Sequence, residues 1–235
     1  RFDDSGPTFH CIFELIYFSR PDSLIFNENV DKSRRKMGKN LALEHPADAD
    51  IVMSVPDSSN TAALGYSQQS GTKFELGLIR NHYIGRTFIQ PTPAMREMGV
   101  KLKFNPVKGL IRDKKIVVVE DSIVRGTTLR KLTSLLRSHG AEEVHIRVSS
   151  PPIRFPCYYG MDFPTRDELI ANNAKVDEIR DTLGVDSLGY LSVEMLLESV
   201  RRTEGQGYCT ACFTGNYPVP VDDAEHAEDK GRFDA

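Results

Sequence analysis

Ile116-Val117-Val118-Val119-Glu120-Asp121-Ser122-Ile123-Val124-Arg125-Gly126-Thr127-Thr128 decides how the rest of the chain is read. Ile116–Val119 is a continuous rather than an alternating apolar run, the pattern of a strand buried on both faces. Two acids stand where that strand emerges, and a turn rich in glycine and hydroxyls follows. A helix then opens at Thr127 and runs to His139, with Leu129, Leu132, Leu135 and Leu136 on one face and Gly140 as its stop. Such a turn aims backbone N–H groups and threonine hydroxyls at a phosphate, with the helix dipole assisting. The adjacent carboxylates cannot serve that phosphate. They suit sugar hydroxyls or a hard cation, since Mg²⁺ prefers oxygen ligands and is commonly shared between carboxylates and substrate phosphates. No G-x-x-x-x-G-K-[ST] motif is present, which excludes an ATPase loop of that kind.

Outward from this stretch, strands and helices alternate. A strand is expected over 10–18, an amphipathic helix over Asn27–Glu44 closed by His45-Pro46, and a strand over Asp50–Val55. Asp57, Ser58 and Ser59 supply helix-cap chemistry ahead of a helix through 61–66. Further strands are expected over Lys73–Ile79, Val144–Val148 and Leu188–Leu191, and helices over Arg166–Ala171, Val176–Leu183 and Ser192–Arg202. Between Arg80 and Leu110 lies a long basic connection broken by Gly and Pro, and loops of that length are usually functional or disordered. The order implies an α/β domain over 1–221 with a mostly parallel sheet flanked by helices. Residues 222–235 read as a charged, poorly ordered tail.

Of the 235 residues 40% are hydrophobic and 27% charged, which excludes a generally disordered chain. The net charge of −3 gives no global field for nucleic acid or an anionic membrane, so an anionic ligand must be held locally. The apolar runs are too short to span a bilayer and the polar stretch Arg1–Pro7 does not read as a signal sequence, so a cytoplasmic location is expected. In that reducing compartment Cys11, Cys157, Cys209 and Cys212 read as metal or cluster ligands rather than disulfide partners. Four thiolates fit a zinc ion and an iron–sulfur cluster equally well.

Glu120–Thr128 resembles the phosphoribosyl pyrophosphate (PRPP) loop of type I phosphoribosyltransferases, and Val119–Thr128 resembles the glutamine PRPP amidotransferase family in particular. Cys11–Ser23, Val55–Ser59, Tyr83–Pro91, Ser149–Ile153, Asp167–Ala171 and Cys209–Pro218 resemble the same family in the same order, so the likeness covers about residues 10 to 220. It implies a type I phosphoribosyltransferase fold with a flexible hood loop, and the conversion of PRPP and ammonia to 5-phosphoribosylamine and pyrophosphate, the first committed step of purine synthesis. Glu120 and Asp121 would then take the ribose hydroxyls and, with Ser58, help hold Mg²⁺. Ser122, Arg125, Gly126, Thr127 and Thr128 would wrap the 5′-phosphate. Asp57, Ser58 and Ser59 would receive pyrophosphate, and Arg80, Tyr83 and Arg86 would reach the substrate from the hood. The family pattern mostly has Asp where Glu120 stands and often Lys where Arg80 stands.

The four cysteines resemble those of a subgroup carrying a [4Fe–4S] cluster, which favours iron and sulfur over zinc. Family members begin with a glutaminase domain whose N-terminal cysteine releases ammonia, whereas Cys11 matches a cluster cysteine. The chain is therefore expected to use free ammonia unless a glutaminase unit lies elsewhere. Homo-oligomers inhibited by purine nucleotides are also implied. The alternatives are a non-catalytic PRPP or nucleotide sensor on the same fold and an interaction module organised by its metal cluster.

Overall fold

In a computed structural model, which describes residues 7–81, 104–161, 163, 165–201 and 206–220, the run Ile116–Val119 lies in the middle of a five-stranded parallel sheet. In chain order the elements are β1 (Thr8–Cys11), a π-helical turn (Glu14–Phe18), β2 (Leu24–Ile25), β3 (Glu28–Asn29), α1 (Val30–Glu44), β4 (Ile51–Ser54), α2 (Asn60–Ser70), β5 (Lys73–Phe74), β6 (Leu78–Arg80) and β7 (Phe104–Pro106). There follow α3 (Lys108–Ile111), β8 (Lys115–Glu120), α4 (Thr127–Ser138), β9 (Glu143–Val148), a 3₁₀ turn (Arg166–Glu168), α5 (Ile170–Asn173), α6 (Val176–Leu183), β10 (Ser187–Tyr190), α7 (Val193–Glu198), β11 (Gln206–Cys209) and α8 (Ala211–Thr214). The sheet order is β10-β9-β8-β4-β5, and every pair in it is parallel.

Side chains alternate across a strand, and here both faces are covered. Val117 and Val119 enter a core with Met37 and Leu41 of α1 and Ala62, Ala63 and Tyr66 of α2. Ile116 and Val118 enter the opposite core with Leu129, Leu132 and Leu136 of α4 and Ile179 and Leu183 of α6. That two-sided burial is the physical reason the strand reads as an unbroken apolar run. Among the described residues no helix is long and apolar enough to cross a membrane.

Several boundaries differ from expectation. The strand expected over 10–18 ends at Cys11, and the chain closes into the π-helical turn. Ile12, Leu15 and Ile16 all enter one core, a helical rather than a strand spacing. The fully buried Arg34 guanidinium fixes the turn, donating from Nε to the Leu15 carbonyl (2.9 Å) and from Nη2 to the Ser19 carbonyl (2.8 Å). The strand expected over Lys73–Ile79 is two: β5 pairs with β4, while β6 pairs antiparallel with β7. Gly77, between the two, lies close against Met53: a Cβ there would stand 2.2 Å from the Met53 methyl group.

Helix α1 starts at Val30 because the Asn29 side chain accepts from the Lys32 amide (3.0 Å). The helix expected over Ser192–Arg202 is shorter, with Ser192 as its cap and Glu198 as its last residue. Arg166–Ala171 divides into the 3₁₀ turn and α5. Most of the hood expected over Arg80–Pro91, with the connection that follows it as far as residue 103, and the tail over 222–235 lie outside the described residues.

Helices α1 and α2 meet backbone to backbone. A Cβ on Gly38 would stand 1.9 Å from the Ala62 carbonyl oxygen, and one on Gly65 would stand 2.1 Å from that of Arg35. Neither neighbour can rotate away, so Gly38→Ala or Gly65→Ala must separate the helices. Either substitution is expected to lower stability by about 1–3 kcal/mol, the usual cost of overpacking, in urea unfolding monitored by circular dichroism. An unchanged midpoint would show that the helix pair does not need this close approach.

Candidate active site

The sheet reverses its winding between β4 and β8. From β4 the chain crosses through α2 to β5 on one side, while β8 leads through α4 to β9 and on to β10 on the other. Parallel sheets bind ligands outside the carboxyl ends of the strands at such a reversal, because the two connecting loops part there and leave a crevice. The register Ser54↔Val119 places the loop after β4 beside the loop after β8. Each loop ends at a helix N-terminus, and no side chain caps either α2 or α4. First-turn amides of α4 are thus available to an anion, whereas in α2 the Asn60 amide donates to the Asp57 carbonyl at 3.3 Å. Gly126 immediately precedes α4 with φ +72°, a left-handed conformation that suits glycine. A Cβ there would also stand 2.7 Å from Ile170 Cδ1.

Glu120 and Asp121, at the end of β8, are 9% and 4% exposed. Glu120 Oε1 accepts from the Asp121 amide (3.1 Å) and from Ser59 Oγ (3.3 Å). Ser59 Oγ also lies 3.5 Å from Asp121 Oδ2, and Ser122 Oγ donates to Asp121 Oδ1 at 2.6 Å. Burial, and for Glu120 the neighbouring Asp121 charge, push both carboxyl groups above their ordinary range. Ser122, Ser58 and the buried Arg34 act against the rise at Asp121.

The loop after β4 is built differently. Asp57 is exposed, and its Oδ2 accepts from Arg80 Nη1 at 2.9 Å across the mouth of the crevice. Arg80 Nε is buried with no partner among the described residues. Arg125, Thr127 and Thr128 are exposed beside Gly126, and Arg125 pairs with Glu168 at 3.0 Å. The structure thus brings together Asp57, Ser58, Ser59, Arg80 and residues 120–128; Tyr83 and Arg86 lie outside the described residues.

The four cysteines form a second site. Parallel pairing of β1 with β11 sets Cys11 beside Cys209, and all four line one cavity of about 640 Å³ together with Ile12, Phe13 and Phe163. Burial raises the thiols of Cys11, Cys209 and Cys212. A bound metal would supply the charge that deprotonates them. Among the described residues no three His, Cys, Asp or Glu side chains converge on a single-ion position.

Residues 36–151 match the family model described as a phosphoribosyl transferase domain. The amidophosphoribosyltransferase of Synechococcus elongatus is 52% identical over 211 residues, 90% of this chain and 43% of that protein. The same enzyme of Archaeoglobus fulgidus is 54% identical over 212 residues, 90% of this chain and 46% of that protein. The chain is a homologue of amidophosphoribosyltransferases over about nine tenths of its length. It spans less than half the length of these relatives. The fold is the type I phosphoribosyltransferase fold. The structure of glutamine PRPP amidotransferase from B. subtilis complexed with ADP and GMP superposes with a TM-score of 0.86 at 50% identity, covering 95% of this chain and 50% of that one.

Two residues around this site were not singled out in the sequence. Arg34 lies in a charged helix, yet it stands four residues after Val30 and three before Met37, on the apolar stripe, where a cation signals a buried partner. Glu168 lies within the family-like stretch Asp167–Ala171, but only the fold reveals its pairing with Arg125.

Because the folded pKa of each acid is raised, the native state binds more protons than the unfolded chain at pH values between the two. Stability is then lost as pH rises through that interval, and the loss persists at neutral pH. Glu120→Gln and Asp121→Asn are each expected to stabilise the metal-free protein by about 1–2 kcal/mol at pH 7.5. At pH 3, where the acids are protonated in both states, the gain is expected to vanish. Urea titrations at the two pH values measure both; a neutral-pH loss of stability would contradict the burial argument.

Proposed function

We propose that this chain carries out the amidophosphoribosyltransferase reaction, in which ammonia and PRPP give 5-phosphoribosylamine and pyrophosphate at the first committed step of purine synthesis. The observation that supports this most is the junction of β8 and α4, where two buried acids and a helix N-terminus with no side-chain cap share one turn. Gly126, Thr127 and Thr128 hold the 5′-phosphate with backbone and hydroxyl donors, joined by Ser122 and Arg125. Glu120 and Asp121 accept the ribose hydroxyls. The Asp57–Ser59 loop receives the pyrophosphate, and Arg80 exchanges the Asp57 carboxylate for a pyrophosphate oxygen as negative charge builds there.

The lone pair of ammonia forms the C1–N bond while the C1–O bond breaks, and its electrons leave with pyrophosphate. The new ammonium group then loses a proton to solvent. An oxocarbenium-like transition state is general for such glycosyl displacements, so catalysis consists largely of holding the sugar, neutralising the leaving group and excluding water. Tyr83 and Arg86 act from the hood in this scheme. Glu120, Asp121 and Ser58 would hold Mg²⁺, which would supply positive charge to the diphosphate. Two carboxylates suit an ion whose remaining ligands are substrate oxygens.

Cys11, Cys157, Cys209 and Cys212 hold a [4Fe–4S] cluster that pins the C-terminal segment to the body. A glutaminase unit beyond these residues provides ammonia from glutamine, the assembly is a cytoplasmic homo-oligomer, and purine nucleotides inhibit it. The nucleotides in the B. subtilis complex support that last point.

Pyrophosphate release from PRPP, MgCl₂ and ammonium chloride tests the proposal. Turnover is expected, with Asp121→Asn about a hundredfold slower. Saturable PRPP binding without turnover would replace the enzyme reading with that of a PRPP sensor.

A further inference from the structure

Residues 217–219 line the four-thiol cavity. Val219 is 62% exposed, so apolar burial does little to hold them. Hydrogen bonds from the segment carrying Cys157 do so instead. Tyr159 Oη donates to the Val219 carbonyl (2.7 Å) and accepts from the Val219 amide (3.0 Å), satisfying both backbone groups of one residue. Val219 lies between Pro218 and Pro220, so its amide is the sole backbone N–H of that tripeptide, and Tyr159 takes it. Two residues earlier, Tyr217 Oη donates to the Pro156 carbonyl at 2.8 Å. Its ring also stands 5.2 Å from that of Tyr158 and 6.0 Å from that of Tyr159. The Tyr159 amide in turn donates to Cys157 Sγ at 3.4 Å. Cys212 is the most deeply buried of the four cysteines on the same cavity.

We infer that Tyr159 is a latch that holds the 217–219 strap across the mouth of the thiol cavity and sets how fast solutes reach Cys212 and the group the thiols bind. A segment with few buried apolar contacts, anchored by hydrogen bonds near the surface, opens locally well below the free energy of global unfolding. Removing the phenol oxygen releases both ends of the Val219 clamp while leaving ring and thiols in place. The latch rests on reading the four thiols as one metal-binding cavity, but it is testable without metal.

The experiment compares the metal-stripped, reduced full chain with Tyr159→Phe and Val219→Pro. Alkylation of Cys212 by N-ethylmaleimide is followed by peptide mass spectrometry, and the urea midpoint of each protein is measured alongside. Tyr159→Phe is expected to accelerate Cys212 alkylation about tenfold at an unchanged midpoint, the order set by losing two hydrogen bonds. Val219→Pro, which removes the amide donor and keeps the carbonyl, is expected to give a smaller acceleration. An unchanged Cys212 rate in both variants would overturn the latch, as would acceleration only in proportion to a lowered midpoint. Iron and sulfide content of the anaerobically reconstituted wild-type chain tests the cluster separately. Iron absent with fast labelling in Tyr159→Phe sinks the cluster and keeps the latch.

Discussion

Two carboxyl groups on consecutive residues are buried together at the end of the middle strand, and their confinement organises the crevice. Glu120 and Asp121 are taken out of water beside each other, which favours neutral acids over a pair of anions. The surroundings offset this only in part: Ser59 bridges the two loops to reach both acids, Ser122 donates to Asp121, and Arg34 brings a buried cation. Such an arrangement costs stability in the empty protein. It becomes favourable when a cation or a set of sugar hydroxyls takes up the free acceptor oxygens.

The sheet makes this possible. Because the winding reverses between β4 and β8, two loops and two uncapped helix N-termini open onto the same space, one carrying the acids and the other the Asp57–Arg80 pair. The buried carboxylates, the α4 amides and the Asp57–Arg80 pair therefore all stand at the carboxyl ends of neighbouring strands.

Much of this was legible in the sequence, for a physical reason. A strand buried on both faces has no alternation to hide it, and a Gly-Thr-Thr helix start after paired acids has few structural uses. The helix over Val176–Leu183 and the strand at Val144–Val148 were equally plain from their periodicity. What failed were segments whose apolar residues serve two environments. Residues 10–18 carry enough β-branched and aromatic types for a strand, but Ile12, Leu15 and Ile16 are drawn into one core, and a distant arginine satisfies the carbonyls this bends away. The stretch 73–79 divides because its halves pair with different strands, a choice made by tertiary contacts. The ion pairs of Arg80 with Asp57 and Arg125 with Glu168 join residues 23 and 43 positions apart, and no local pattern announces them.

Amide chemical shifts probe the anion cradle most directly. When Mg²⁺ and PRPP are added to the ¹⁵N-labelled chain, the N–H resonances of Gly126, Thr127 and Thr128 should move downfield together and saturate, as donors do on gaining a phosphate acceptor. Stationary resonances at these three positions, with saturable shifts elsewhere, would place the phosphate outside the β8–α4 turn and contradict the site described above.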